Sequence, residues 1–543
     1  MKSWTKNVWT GLFGATPRPA ATVRSRRIRL TAEALEDRMV PVAGIAEVIW
    51  VNTNIDSAVH APGLQTLREA IAKANTNSNP TVVDVIAFRP NVFGKTILLE
   101  QGEIGITQSV NIAGPGVARL RIDGAGDTRI FNIAGGDGIA MKATISGVTL
   151  QNGNFAVPTS GTDGGGAIRF ASDGSFAGDI LTLRNAAFRN NETGDTGGAV
   201  LVGNPFGAQG AAKLTIEDCV FSGNTSEVAG GAVAFLNSSN LVVQRSTFSA
   251  NIVDGSQHGG ALDVEDSSSV LVSRSTFVDN ITGGEGGAVG LLNTATARIE
   301  YTTLARNRAD AAGGGVWWLN SAAGTLTVFS STINANESRG DDSEESFGMG
   351  GGIAFLDLGA SQFFLLNSTI YGNTSGGNGG GILLSGGTST LVNDTITKNE
   401  SQIGDGGGIY ASDGAIVNMQ NTIIDSNRNA PREVSVTNDI SSADGIATWN
   451  VQYSLIESVP SGFTFLTNSH NIFGESANLG PLKNNGGPTQ TAAFMDLSPA
   501  IQRGNVALAK AQGLLWDQRG PGFFRMFFGI DMGAFQSQLR RRW

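Results

Sequence analysis

An apolar residue followed three positions later by asparagine recurs nine times between residues 188 and 427, and this period constrains the chain more than any other feature. The asparagines are Asn191, Asn224, Asn251, Asn280, Asn307, Asn336, Asn373, Asn399 and Asn427, spaced 26 to 37 residues apart. A Gly-Gly pair follows each of the first eight, from Gly197-Gly198 to Gly406-Gly407, and Gly165-Gly166 opens the series. Units this short cannot bury a face alone and must stack on their neighbours.

The residues after each pair alternate. Ile168/Phe170, Val200/Val202, Val233/Phe235, Leu262/Val264, Val289/Leu291 and Val316/Trp318 form one apolar face. The positions between them vary freely: Arg169, Leu201, Ala234, Asp263, Gly290 and Trp317. Period two with one constant face predicts a half-buried strand. A second strand, such as Leu241-Val242-Val243, precedes each asparagine motif, and asparagines at one turn of every coil can pair their amides along the stack. The prediction is an all-β, right-handed parallel β-helix of roughly nine or ten coils, on the order of 45 Å long at ~4.8 Å per strand.

Thr66-Leu67-Arg68-Glu69 reads as a capping box opening a short helix that ends near Asn75, with Leu67, Ile71 and Ala74 on one face. The chain then divides into a basic leader (1–41), an N-terminal cap with the first coils (42–150), regular repeats (151–430), irregular last coils (431–478) and a Pro/Gly-rich C-terminal cap (479–543).

Composition narrows the functional classes. The leader holds eight basic and three acidic residues, so the rest is more acidic than the net charge of −10 suggests. An acidic body with few cations argues against a nucleic-acid partner. Cys219 is the one cysteine, which excludes an internal disulfide; it aligns with Ser246, Ser275, Thr302 and Ser331 and reads as a packing thiol. The histidines, His60, His258 and His470, are widely separated, which argues against a His-based metal cluster. No apolar run reaches the ~18 residues of a spanning helix. The sequence does not specify an oligomeric state.

Phe221-Ser-Gly-Asn224 with Gly230-Gly-Ala-Val233, and Phe277-Val-Asp-Asn280 with Gly286-Gly-Ala-Val289, resemble the repeats of chlamydial polymorphic outer-membrane proteins. That resemblance, over about 165–430, implies a surface-exposed, adhesin-like solenoid. Those proteins end in a membrane barrel, whereas the alternating strands a barrel needs are not evident before Leu539-Arg-Arg-Arg-Trp543. Leu67-Arg-Glu-Ala-Ile71 with Asn75 resembles the "SLREAI" module of bacterial β-helix proteins, with Gln65-Thr66 in place of its usual preceding residues. Five blocks between Leu479 and Phe535, among them Asn485-Gly-Gly-Pro-Thr489, Asp517-Gln-Arg-Gly520 and Asp531-Met-Gly-Ala-Phe535, resemble the choice-of-anchor Q module. Arg29 to Arg38 with Pro41 resembles a leader of exported planctomycete proteins.

Candidate chemistry is sparse. Asp263, Glu265 and Asp266 follow His258-Gly-Gly; Asp263 and Glu265 lie two apart on a strand and so face outward together. Trp317 sits on the same row two coils on, about 10 Å away, where it could stack on a sugar. This group is the best place the sequence offers for a catalytic acid and base or for Ca²⁺; a solvated strand face is the reading the residues favour. Carboxylates also recur between the asparagine and glycine rows (Asp195, Glu227, Asp254, Glu285, Asp310, Asp405, and the loop Asp341 to Glu345), as a Ca²⁺-collecting edge or as protection against edge-to-edge association. Asp517 and Arg519 read as a structural ion pair. The sequence points to an exported, cell-surface or secreted module, non-catalytic and adhesive or structural, needing no cofactor and meeting a surface glycan or envelope component. The alternative is a pectate-lyase-like or polygalacturonase-like enzyme acting on acidic polysaccharide.

Overall fold

The computed structural model describes residues 46–538 apart from 58, 78, 80–81, 136–139, 157–162, 172–177, 204–211, 341–347, 430–437, 444–445 and 526–528. The basic leader and the acidic loop Asp341 to Glu345 lie outside the described residues.

Each regular coil contains four short strands, as in Val233–Leu236, Asn240–Gln244, Thr247–Ser249 and Ile252–Val253. Equivalent strands of successive coils pair in parallel, building sheets of 12, 15, 14 and 10 strands respectively. The result is a parallel β-solenoid of about 11 turns. Register is strict: Val233 pairs with Leu262, Leu262 with Val289, and Val289 with Val316. All four belong to one continuous core. Phe188, Phe221, Phe248 and Phe277 stack within it, their ring centroids 4.5, 4.7 and 4.6 Å apart and nearly coplanar in orientation.

The asparagines form a buried ladder. Each Nδ2 donates to Oδ1 of the next, at 2.8 to 2.9 Å from Asn191 to Asn427. The same Oδ1 accepts the backbone N–H of the preceding asparagine, as Asn251 N donates to Asn280 at 3.0 Å. Asn280 Nδ2 also donates to the Phe248 carbonyl at 3.1 Å. Asp439 ends the ladder, accepting from Asn427 Nδ2 at 2.8 Å and from Ser458 N at 2.8 Å. Cys219, Ser246, Ser275, Thr302, Ser331 and Ser368 form a second ladder at another corner, each backbone N–H donating to the next residue's hydroxyl at 3.1 to 3.2 Å. Cys219 lies at the head of that column, and burial pushes its thiol up to about 12.

The helix Leu67–Ala74 has the capping box on both sides, Thr66 with Glu69, and ends at Asn75. It buries Leu67, Ala70, Ile71 and Ala74 into the core beside Ile49 and Val51. At the far end, Val459, Phe463 and Phe465 close the core, Phe463 meeting Trp449 edge-on at 5.5 Å. The Pro/Gly-rich C-terminal part covers the flank of the later coils. Gln518 Nε2 donates to Ser331 O at 3.0 Å, Ala534 N to Thr395 Oγ1 at 2.9 Å, and Asn505 N to Asn421 Oδ1 at 2.7 Å. Within it Arg519 Nε donates to Asp517 Oδ2 at 3.0 Å, and its guanidinium lies 3.9 Å from both the Phe523 and Phe535 rings. That packing fits a structural ion pair.

Removing one ladder rung takes a hydrogen bond from four buried polar groups and leaves the Asn251 N–H unanswered, so Asn280→Ala should lower the unfolding free energy by about 3–5 kcal/mol in urea, far more than an exposed-site control. The pH dependence follows from Asp439, whose carboxyl burial pushes up to about 7 despite the hydrogen bonds from Asn427 and Ser458. An ordinary aspartate titrates near ~3.9, so the folded chain holds this proton more tightly than the unfolded one. That contribution is present below the unfolded value and is lost as pH rises through about 7. Melting temperature should therefore fall between pH ~4 and ~7 and level off above, with an upper bound of about 4 kcal/mol from this group. Asp439→Asn should reduce the slope.

Candidate functional site

The outer face of the first-strand sheet is covered. The turn before each glycine pair folds back across the strand that follows it. At Gly230 the backbone has φ +62°, and a Cβ there would stand 2.5 Å from the Val233 carbonyl oxygen. A Cβ at Gly231 would meet the Gly260 carbonyl oxygen of the next coil at 2.2 Å. Hydrogen bonds tie these turns together along the stack, from Gly230 N to His258 O at 3.0 Å and from Gly259 N to Glu285 O at 2.9 Å. Leu201, Ala234, Asp263, Ala354 and Leu383 on the outer row are buried as a result.

The coil that carries His258 departs from this plain pattern. Asp263 pairs in register with Gly290, and Gly290 with Trp317. The missing side chain at Gly290 leaves a notch: a Cβ there would lie 2.7 Å from His258 Cβ and 3.1 Å from Asp263 Oδ1. The imidazole of His258 fills it and stacks on Trp317 with centroids 4.5 Å apart and planes 11° apart. His258 Nδ1 stands 3.7 Å from Asp263 Oδ1 and 3.6 Å from Glu265 Oε1. These three residues place one ligand-type atom each within 4.8 Å of one another, the only such trio among the described residues.

Asp263 is 0% exposed, and no hydrogen bond of good geometry reaches its carboxylate oxygens or His258 Nδ1, although the Glu265 carboxyl stands close enough to share a proton with Asp263. Burial, reinforced by the neighbouring Glu265, holds the Asp263 carboxyl well above the usual carboxylate range. Burial also raises Glu285, with His258 pulling the other way. Glu265 keeps 27% of its side chain exposed and forms the solvent edge of the cluster.

These positions correct two sequence expectations. Asp263 is no solvated strand position, because the preceding turn covers it. Trp317 is 4% exposed and shares its ring face with His258, so it offers no open platform for a sugar. Asp266 stands apart from the trio. It takes φ 47° at the corner after the strand, where Asn237 and Asn293 do the same in the adjoining coils. His258 is the group sequence reasoning undervalued. The scatter of histidines along the chain is no obstacle here, since the other two ligand-type groups are carboxylates. The available signal was the conjunction of an unusual residue before a glycine pair with a glycine on the outer row one coil later.

The recurring turn carboxylates do not converge in this way among the described residues. Asp195 accepts from Thr196 N at 2.7 Å, Arg308 pairs with Asp310 at 3.1 Å, and Asp405 accepts from Asn429 at 3.1 Å. An open groove lies elsewhere, lined by Leu98, Asp123, Asn152, Asn154, Asn190 and Glu192. Its Asp123 is engaged, accepting from Gln151 Nε2 at 2.6 Å and from Asn152 Nδ2 at 3.0 and 3.1 Å.

A family model described as a right handed beta helix region matches residues 129–356, which spans the covered cluster and gives the solenoid its hand. No curated protein matches the chain. The crystal structure of tailspike protein 3 of bacteriophage CBA120 is similar over 76% of this chain and 57% of its own length, with 11% identity and a TM-score of 0.34. This chain thus spans little more than half of that protein, and a likeness of this degree carries no argument about function.

Gly290→Ala tests the notch. The added methyl should displace His258 from Trp317, changing tryptophan fluorescence and near-ultraviolet circular dichroism while the far-ultraviolet spectrum stays that of the wild type.

Proposed function

We propose that the chain is an exported, cell-surface or secreted solenoid that works as a non-catalytic adhesive or structural module, with a surface glycan or envelope component as its partner. One observation carries this reading. The acidic residues and the aromatic ring that a polysaccharide enzyme would set along an open cleft lie under a turn, with Asp263 buried and Trp317 covered by His258. A polymer threading past the sheet has no route to that carboxylate. The accessible groove presents amides from Asn154 and Asn190, donors and acceptors of the kind that pair with sugar hydroxyls. The surface placement draws on the resemblance of residues 51–75 and 479–535 to modules of exported bacterial β-helix proteins, and on that of residues 1–41 to an export leader. No helix among the described residues is long and apolar enough to cross a membrane.

Incubation with a panel of uronate polymers and Ca²⁺, followed by the ultraviolet absorbance of unsaturated products, separates this reading from the enzymatic one. The expected result is no turnover, together with binding to immobilised glycans or whole cells. Turnover that disappears in Asp263→Ala would overturn the proposal.

A further inference from the structure

We propose that His258, Asp263 and Glu265 form a binding site for a divalent transition-metal cation of the Zn²⁺ class. Three independent features of the cluster point there. First, the spacing suits a shared ion better than direct hydrogen bonds. His258 Nδ1 is 3.7 and 3.6 Å from the two carboxylates, beyond hydrogen-bond reach. Ligands held tetrahedrally at ~2.1 Å from a metal lie about 3.4 Å apart, close to these separations. Second, Asp263 is fully buried, its carboxyl faces only the Glu265 carboxyl and the His258 nitrogen, and neither gives it a hydrogen bond of good geometry. Buried carboxylates in folded chains are paired, protonated or bound to a cation, and among the described residues no Lys or Arg pairs with this one. Third, the imidazole is held in advance. It lies flat on Trp317 over the Gly290 notch, so its ring plane is fixed before any ion arrives.

The donor set selects the class of ion. Ca²⁺ takes six to eight oxygens and Mg²⁺ an octahedral oxygen shell, whereas one imidazole nitrogen with two carboxylate oxygens suits Zn²⁺ and its neighbours. Glu265, the partly exposed member, gives the ion a path from solvent and leaves a coordination position on that side for water or a ligand oxygen. Glu285 lies on the turn stacked next to His258.

The test uses the full chain, freed of metal by a chelator and titrated with Zn²⁺ alone by calorimetry, with Ca²⁺ and Mg²⁺ in parallel. The expected result is one Zn²⁺ bound per chain, a higher melting temperature on binding, and a change in tryptophan fluorescence that is absent from Trp317→Phe. Asp263→Asn should weaken binding by about 100-fold or more. His258→Phe keeps an aromatic ring on Trp317 and removes both ring nitrogens; it should bind Zn²⁺ equally weakly while remaining folded. No saturable Zn²⁺ binding to the wild type, undiminished binding by His258→Phe, or preference for Ca²⁺ over Zn²⁺ would each overturn the assignment.

Discussion

The rod depends on buried polar side chains that answer backbone groups at its corners. The residue before nearly every ladder asparagine has positive φ, and many of these are not glycine: Ala250 at 52°, Arg306 at 55°, Ala335 at 52°, Lys398 at 59°. A left-handed L-residue costs about 1–2 kcal/mol. The turn it makes aims the next N–H into the core, where no water can meet it. An asparagine one coil further on accepts that N–H, and an unanswered one would cost about 1–3 kcal/mol. Corner and ladder therefore stand or fall together. Elsewhere a hydroxyl does the same work: Ser246 accepts from Cys219 N and donates back to Gln244 O at 2.8 Å. Asparagine is needed where two donors arrive; serine or threonine suffices where one does.

Because the ladders fix the register, side chains on the inner row repeat while the outer row drifts. The outer row is nonetheless dry, since the glycine pairs let each turn lie flat against the following strand. A solenoid usually offers its sheets to solvent, but here that face became a second, thinner interior. Trp317, Ala354 and Leu383 pack with Ala312 as an apolar patch outside the main core. A polar group placed where the turn covers this row is buried whatever its own preference, as Asp263 is, whereas Arg169 and Glu265 on the same row stay partly exposed. That is why Asp263 has an abnormal proton affinity without any special local fold.

Much of this was legible in the sequence. The nine asparagines, the glycine pairs and the inner alternation dictated parallel coils, and the Thr66/Glu69 pair placed the first helix to the residue. Other features were hidden for identifiable reasons. Alternation reports that one face is apolar, but it is silent on whether a turn folds over the other, so Asp263 and Trp317 read as exposed. The serine and threonine column looked like small-residue packing because hydrogen bonds to backbone N–H leave no trace in composition. The C-terminal segment reads as a cap from its turns alone; its choice of the flank is set by contacts such as Gln518 with Ser331, residues 187 apart in sequence.

The His258 cluster shows how such a scaffold acquires local chemistry without altering its backbone. In the coil before, the residue ahead of the glycine pair is Ala229 and the outer-row residue is Ala234; in the coil after, Glu285 precedes the pair. Replacing those small groups with His258 and Asp263, emptying the next position at Gly290 and laying Trp317 beyond it changes four side chains across three coils while every strand keeps its partner. Each change makes sense only with the others. A histidine without the glycine would clash, an aspartate without the histidine would face nothing, and the imidazole without the tryptophan would have no plane to rest on. Mutual dependence among residues 5 to 59 positions apart, on a backbone that does not require any of them, fits the proposed site better than packing drift.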